Sequence, residues 1–302
     1  MRALVTGATG FVGRRLVSRL DRPVVLSRNA ARAEKSLAQF QVKAFDWDPQ
    51  RPPPAEAFDG VDAVFHLAGD PVAEGRWTES KKARILNSRV LGTRNLVSTL
   101  RAIGKGLPVL VSASAIGMYG SRGDELLDET SPPGDDFLAE VCKGWEREAA
   151  EARQLGARVV SVRVGIVLGP KGGPLSKMLL PFRFGMGSPL GTGQQYMSWI
   201  HLDDLVGILL HAAQTPSVHS PLNGVSPNPV TNRKFTDVLG KVLGRPTFMP
   251  PLPRIVLRPM LGEVADVVLG SQRVLPTATL AAGYRYQYPE LEPALRNILR
   301  RE

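Results

Sequence analysis

The sequence predicts an α/β protein: a doubly wound parallel sheet with a smaller carboxy-terminal lobe interleaved with it. Three observations predict this class. Short apolar runs alternate with helical patterns through the first half of the 302 residues, the signature of parallel strands joined by helical crossovers. A glycine-rich turn, Gly7-Ala8-Thr9-Gly10-Phe11-Val12-Gly13, follows the first apolar run directly. After about Gly165 the texture changes to short segments punctuated by Gly and Pro, as loops and hairpins require.

Residues 2–6, 24–27, 42–45, 63–67, 109–112 and 158–162 read as buried strands. Between them, Leu86, Val90, Val97 and Leu100 line one face of a helix. Leu138, Val141, Cys142, Trp145, Ala149 and Ala152 line another, at steps of three and four. Residues 124–136 read as a polar loop. The expected division is a dinucleotide-binding Rossmann domain over 1–165, to which about 195–215 returns, and a substrate-binding lobe over 166–302.

Composition narrows the class of function. With 43% hydrophobic and 22% charged residues, the chain can bury a sizeable core and is neither disordered nor fibrous. No apolar run approaches the roughly 18 residues of a membrane span. One cysteine excludes an internal disulfide and fits a reducing compartment. Nothing ahead of the first strand reads as a leader, so the expected location is the cytoplasm. The net charge is +10, but Lys and Arg are dispersed among acids and form no stripe or tail. A solvated basic surface explains that best, affinity for anionic small molecules next, and nucleic acid last. The expected partner is a small-molecule substrate, with neither nucleic acid nor membrane; monomer and homodimer both stay open.

Gly7, Gly10 and Gly13 have the G-x-x-G-x-x-G spacing of a phosphate loop. Such glycines turn the chain sharply, admit a pyrophosphate against the backbone and pack the next helix close to the sheet. Thr9, Phe11 and Val12 would then present helix-terminal N–H groups to phosphate. A tight turn without a ligand is the plainer alternative. The helical stripe behind it (Val12, Leu16, Val17, Leu20) weighs toward a dinucleotide. The second strand ends in Ser27-Arg28, where an NAD site usually places an acid on the ribose. Arginine there suits the extra phosphate of NADP(H), with Arg14 as helper.

Taken together, these residues resemble the extended short-chain dehydrogenase/reductase superfamily of the NAD-dependent epimerase/dehydratase type, over nearly the whole chain. Thr6 to Gly13 matches its glycine motif. Asp46 matches an acid near the adenine, and Leu67, Ala68 and Gly69 a turn whose backbone lines the dinucleotide. Gly92-Thr93 matches the following helix, residues 112–120 the segment carrying a catalytic serine, and Arg163 with Gly169-Pro170 the strand after it. Cys142 with Trp145-Glu146, and residues 178–182, 198–201, 228–232 and 270–276, resemble more narrowly an atypical "epimerase family protein" subgroup with its own carboxy-terminal module. The resemblance implies an NADP(H)-binding, oxidoreductase-like or epimerase-like protein acting by hydride transfer on a small polar or sugar-nucleotide-like substrate. Some relatives of that subgroup are labelled cell-division inhibitors, so a catalytically silent, cofactor-dependent regulatory protein is the alternative.

The chain departs from the pattern at its chemical centre. The superfamily's Tyr-x-x-x-Lys pair aligns with Leu138 and Cys142. Lys143 lies roughly 100° around the helix and cannot simply replace the lysine. Ser112 and Ser114 compete for the serine, with Ser114 preferred on spacing. Tyr119 is a candidate alternative acid or a packing residue. Arg84 and Arg89 are candidates for a cofactor phosphate or ribose, against a solvated helical face. Met118, Trp199 and His201 are expected to line the substrate pocket. His201 with Asp203 and Asp204 reads as an acid-rich helix start rather than a metal site, and no metal is expected.

Overall fold

A computed structural model describes residues 1–104, 106, 108–219 and 221–300. Strands β1 (Ala3–Thr6), β2 (Val24–Ser27), β3 (Lys43–Asp46), β4 (Ala63–His66) and β5 (Val109–Ala115) are followed by the short β6 (Leu126–Leu127), then β7 (Arg158–Val164) and β8 (Ile166–Leu168). Then come β9 (Tyr196–Met197), β10 (Trp199–His201), β11 (Leu222–Gly224), β12 (Val230–Thr231) and β13 (Arg273–Val274). Seven of these make one sheet in the order β11-β7-β5-β4-β1-β2-β3. Every neighbouring pair in it is parallel. The order reverses between β1 and β4, and the carboxyl ends of those strands form the crevice where such sheets take their ligands.

Because side chains alternate along a strand, each strand feeds two cores. On one face Val5, Val25, Phe65 and Val111 pack against Leu16 of helix α1 (Phe11–Val17) and Ala33 of α2 (Ala30–Ser36). The opposite face sets Leu4, Leu26, Val64 and Leu110 against Leu96, Val97 and Leu100 of α3 (Glu79–Ile103) and Ala149 of α4 (Phe137–Ala150). A third core joins α5 (Gly173–Arg183), α7 (Asn232–Leu243) and α11 (Leu291–Leu299) around Trp199 and Phe235. Between these, α6 (Leu202–Gln214) lays Leu205, Ile208 and Leu209 on the first core. The carboxy-terminal module adds α8 (Arg254–Leu261), α9 (Val264–Leu269) and α10 (Thr277–Ala281).

Two details differ from the sequence reading. The α3 stripe is one residue out of register at its start: Ile85 is buried and Leu86 exposed. The seventh strand, β11, is only three residues long, too short to show alternation. The acid-rich start of α6 is a pair of joints. Asp203 grips Arg15 of α1 at 2.6 Å. The Asp204 carboxylate accepts hydrogen bonds from the Tyr284 hydroxyl and the backbone N–H groups of Gln287 and Tyr288, fixing the carboxy-terminal segment to α6.

At the end of β4 a buried imidazole joins strand to helix. His66 Nε2 lies 2.9 Å from Thr93 Oγ1, whose own proton goes to the Arg89 carbonyl. The imidazole therefore donates from Nε2 and accepts the Thr6 hydroxyl proton at Nδ1, 2.8 Å away. Burial, reinforced by the Arg89 charge, lowers its pKa from 6.5 to about 4. Above 6.5 neither state is protonated; between 6.5 and 4 only the unfolded chain takes up the proton, so stability drains away as pH falls. Denaturant unfolding should show the wild type losing about 3 kcal/mol more than His66→Gln between neutrality and pH near 4. Parallel losses in the two proteins would mean that His66 titrates freely in the fold.

Candidate functional site

The glycine turn is pressed against the turn after β4. Gly7 has φ +71°, and a Cβ there would lie 2.9 Å from the Leu67 carbonyl carbon and oxygen; only glycine fits both conditions. Gly13 is equally confined, because its Cβ would fall 2.1 Å from the Gly7 oxygen. Across the gap, Thr6 Oγ1 accepts the N–H groups of Leu67 and Ala68 at 3.1 and 3.0 Å. Gly10 caps α1, leaving Phe11 and Val12 in its first turn. The Phe11 ring does not face that turn. It fills the space that side chains on Gly169, Gly172 and Gly173 would occupy, at 2.6–2.9 Å from their Cβ positions, and so ties the glycine loop to the β8–α5 turn.

A cavity of about 660 Å³ opens at the end of β2, lined by Thr9, Arg14, Ser27, Arg28, Asn29, Arg32, Ala33 and Ser36. Three guanidinium groups and no carboxylate line it, so it favours an anion. Arg14 is braced by the carbonyl and hydroxyl of Ser36 at 2.9 and 2.6 Å. Arg32 was not anticipated from the sequence; its position on the first turn of α2, directly after the Ser27-Arg28 strand end, is the signal that could have found it. Asp46 accepts the Ala30 N–H at 2.7 Å and so pins the start of α2 at the rim.

On the sheet's other flank, Arg89 leaves α3 toward Gly69, where a Cβ would meet its guanidinium carbon at 2.8 Å. Its Nη1 donates to the carbonyls of Asp70 and Ile85, and the guanidinium lies 5.2 Å over the Trp145 ring. The Asp70 carboxylate is engaged elsewhere, with Lys81 at 2.5 Å. Burial lowers the Arg89 pKa. Arg84 is not brought here: it is exposed, five residues and about 140° away around the same helix.

Ser114, near the end of β5, donates to Glu146 Oε1 at 2.7 Å. That carboxylate is clasped by Arg163 through two hydrogen bonds of 2.8 and 2.9 Å. Ser112 is buried and donates to the Ala113 carbonyl. Tyr119 is fully buried; its hydroxyl donates to Asn223 Oδ1 at 2.7 Å and accepts from Arg163 at 3.0 Å. These two bonds clamp the turn after β5 to β11 and commit the hydroxyl proton to Asn223, and burial raises the phenol's pKa above the ordinary value. Cys142 is buried, and burial first, then Glu146, pushes its thiol up to about 11, the reverse of an activated nucleophile. Leu138 abuts Gly117, and Lys143 pairs with Glu140.

Three expected pocket residues lie in the interior instead. Met118 packs with Tyr119, Leu127 and Cys142. Trp199 is buried in the third core and donates to the Asn228 carbonyl at 3.0 Å. His201 caps α6, accepting the Asp203 N–H at 3.0 Å, with its ring 4.0 Å from that of Tyr288. The resemblance of residues 112–120 and 198–201 placed them near the site, but the inward or outward sense of a one-turn helix (Met118) or a three-residue strand (Trp199, His201) is not encoded in so short a segment. Among the described residues no group of three His, Cys, Asp or Glu could hold a metal, and no helix is long and apolar enough to cross a membrane.

Comparison with known proteins bears on this geometry. A profile of the NAD dependent epimerase/dehydratase family matches residues 3–223, and one of a domain of unknown function, DUF1731, matches 252–298. The epimerase family protein SDR39U1 homolog of Arabidopsis thaliana chloroplasts is 41% identical over 99% of this chain and 87% of its own. Human epimerase family protein SDR39U1 is 38% identical over 99% and 100%. A crystal structure of that human protein (isoform 2) with NADPH superposes with a TM-score of 0.88 at 35% identity, covering 99% of both chains. A UDP-glucuronic acid 4-epimerase from Bacillus cereus, with a TM-score of 0.78 at 16% identity over 99% and 98% of the two chains, shares the fold. The chain belongs to the NAD dependent epimerase/dehydratase family, within its atypical extended short-chain subgroup.

Proposed function

We propose that this chain is an NADP(H)-binding, oxidoreductase-like protein that transfers hydride to or from a small polar, sugar-nucleotide-like substrate. The observation that carries this reading is the cavity at the end of β2, where Arg14, Arg28 and Arg32 converge with no acid to greet a bare ribose. A 2′-phosphate supplies the charge they lack. The human relative crystallised with NADPH supports the same ligand.

The rest of the site fits the remainder of such a cofactor. The close-packed glycines Gly7, Gly10 and Gly13 leave backbone N–H groups at the start of α1 for a diphosphate. Leu67, Ala68 and Gly69 form the facing wall, and Arg89 brings a cation to that wall. The bound cofactor would supply the hydride donor or acceptor. Ser114 donates a hydrogen bond to the Glu146 carboxylate, which Arg163 clasps, so its oxygen would serve as the acceptor for a substrate hydroxyl. Leu138 and Cys142 offer no proton relay. That apolar pair favours a second reading, a cofactor-dependent regulatory protein without turnover.

Two sets of variants test these assignments. Arg28→Ala should weaken NADPH about 10- to 100-fold, the worth of one lost charge-assisted contact, and leave NADH within about twofold. Arg32→Ala should act in the same direction, and equal losses for both dinucleotides would remove the phosphate assignment. Ser114→Ala should keep NADPH affinity while lowering hydride transfer about a hundredfold; a comparable loss of affinity would make Ser114 structural. No hydride exchange in the wild type across a panel of sugar nucleotides would favour the silent reading.

A further inference from the structure

Most large apolar side chains left in solvent lie on one part of the molecule. Among the described residues thirteen are exposed, and nine of those fall within 180–186 and 248–267, so they form a surface feature and not a scatter. The two segments run side by side. Ser188 donates to the Pro250 carbonyl at 2.6 Å, the Leu252 N–H donates to the Pro189 carbonyl, and Gly185 lies against Pro246. Phe184 and Met186 therefore neighbour Phe248 and Met249. Leu180 stands one turn earlier on α5, and α8 continues the surface with Ile255, Val256 and Met260. The exposures are high: 81% for Phe248, 79% for Ile255, 71% for Phe184 and 66% for Met260. Of α8, only Leu257 is buried.

Charge decides what can cover this surface. Residues 171–186 contain Lys171, Lys177 and Arg183 and no acid, and residues 245–267 contain Arg245, Arg254 and Arg258 against Glu263 and Asp266. Asp266 pairs with Arg254 and Glu263 with Lys82 of α3, so the face keeps a net positive charge. A second copy of the same face would bring like charge to like charge. Phe184, Phe248, Ile255 and Met260 project outward, while Leu180 shares a depression of about 310 Å³ with Lys171 and Arg183, so most of the face presents protruding side chains to whatever covers it. Projecting Phe, Ile and Met flanked by arginines are what an anionic lipid interface takes up.

We propose that the face formed by α8, the end of α5 and residues 245–252 docks on an anionic lipid surface. The absence of a spanning helix does not bear on this, because such a helix lies in the interface and does not cross it. The docked face is mechanically linked to the crevice. Arg76, in the loop following β4, donates to the Pro259 carbonyl of α8 at 2.6 Å, and Lys82 of α3 pairs with Glu263 beyond α8 at 2.8 Å.

The test is co-sedimentation of the full chain with phosphatidylcholine vesicles, with and without phosphatidylglycerol. Binding should require phosphatidylglycerol and weaken as salt is raised. Ile255→Glu and Phe248→Glu should each reduce it by about tenfold or more without changing thermal melting, since both side chains are outside the core. Failure to sediment with phosphatidylglycerol, equal binding to both vesicle types, or binding indifferent to both substitutions would overturn the proposal. So would sedimentation as a dimer that Ile255→Glu separates, which would assign the face to a second copy.

Discussion

The close approach of the ends of β1 and β4 is the constraint on which the rest of the site depends. Gly7 and Leu67 are so near that no side chain fits between them. The contact persists because Thr6 spends its hydroxyl oxygen on two backbone N–H groups of the opposite turn. The Thr6 hydroxyl donates to His66 Nδ1, and His66 in turn donates to Thr93 on α3. Phosphate loop, facing turn and the helix that carries Arg89 are thereby registered by one buried polar chain. Each member has its partner, so the chain avoids the penalty of burying unsatisfied groups. Arg89 keeps its place beside Gly69 through the same helix.

Around that junction the molecule holds cations where a dinucleotide is negative, and removes acid–base groups from where hydride chemistry usually needs them. The cavity at the end of β2 is bounded by three arginines. Near the end of β5 Glu146 is bonded to Arg163, Tyr119 to Asn223 and Arg163, and the buried Cys142 thiol lies beside Glu146 and Ser114. Among these groups the Ser114 hydroxyl donates to Glu146 and is the one assigned to meet substrate. The architecture thus suits tight cofactor retention more plainly than fast proton transfer.

Much of this was legible in the sequence because it rests on local rules. Gly7, Gly10 and Gly13 announce a backbone approach, and Ser27-Arg28 reports the sign of charge at a strand end. The six strands expected in the first half all form, with β5 and β7 running farther than their apolar runs suggested. What was not legible depends on contacts between distant segments. Met118, Trp199 and His201 sit on elements so short that spacing does not encode which side faces the interior. Leu86 and Ile85 are adjacent apolar residues, and only the packing of α3 decides which one is buried. The role of Phe11 was hidden for the same reason: the glycines that receive its ring lie more than 150 residues along the chain.

The most direct measurement is a calorimetric titration of cofactor-free protein with NADPH and, separately, with NADH. The arginine-lined cavity predicts NADPH binding tighter by about tenfold or more. Equal affinities, or heat from neither dinucleotide, would contradict the claim that this cavity receives the cofactor's additional phosphate.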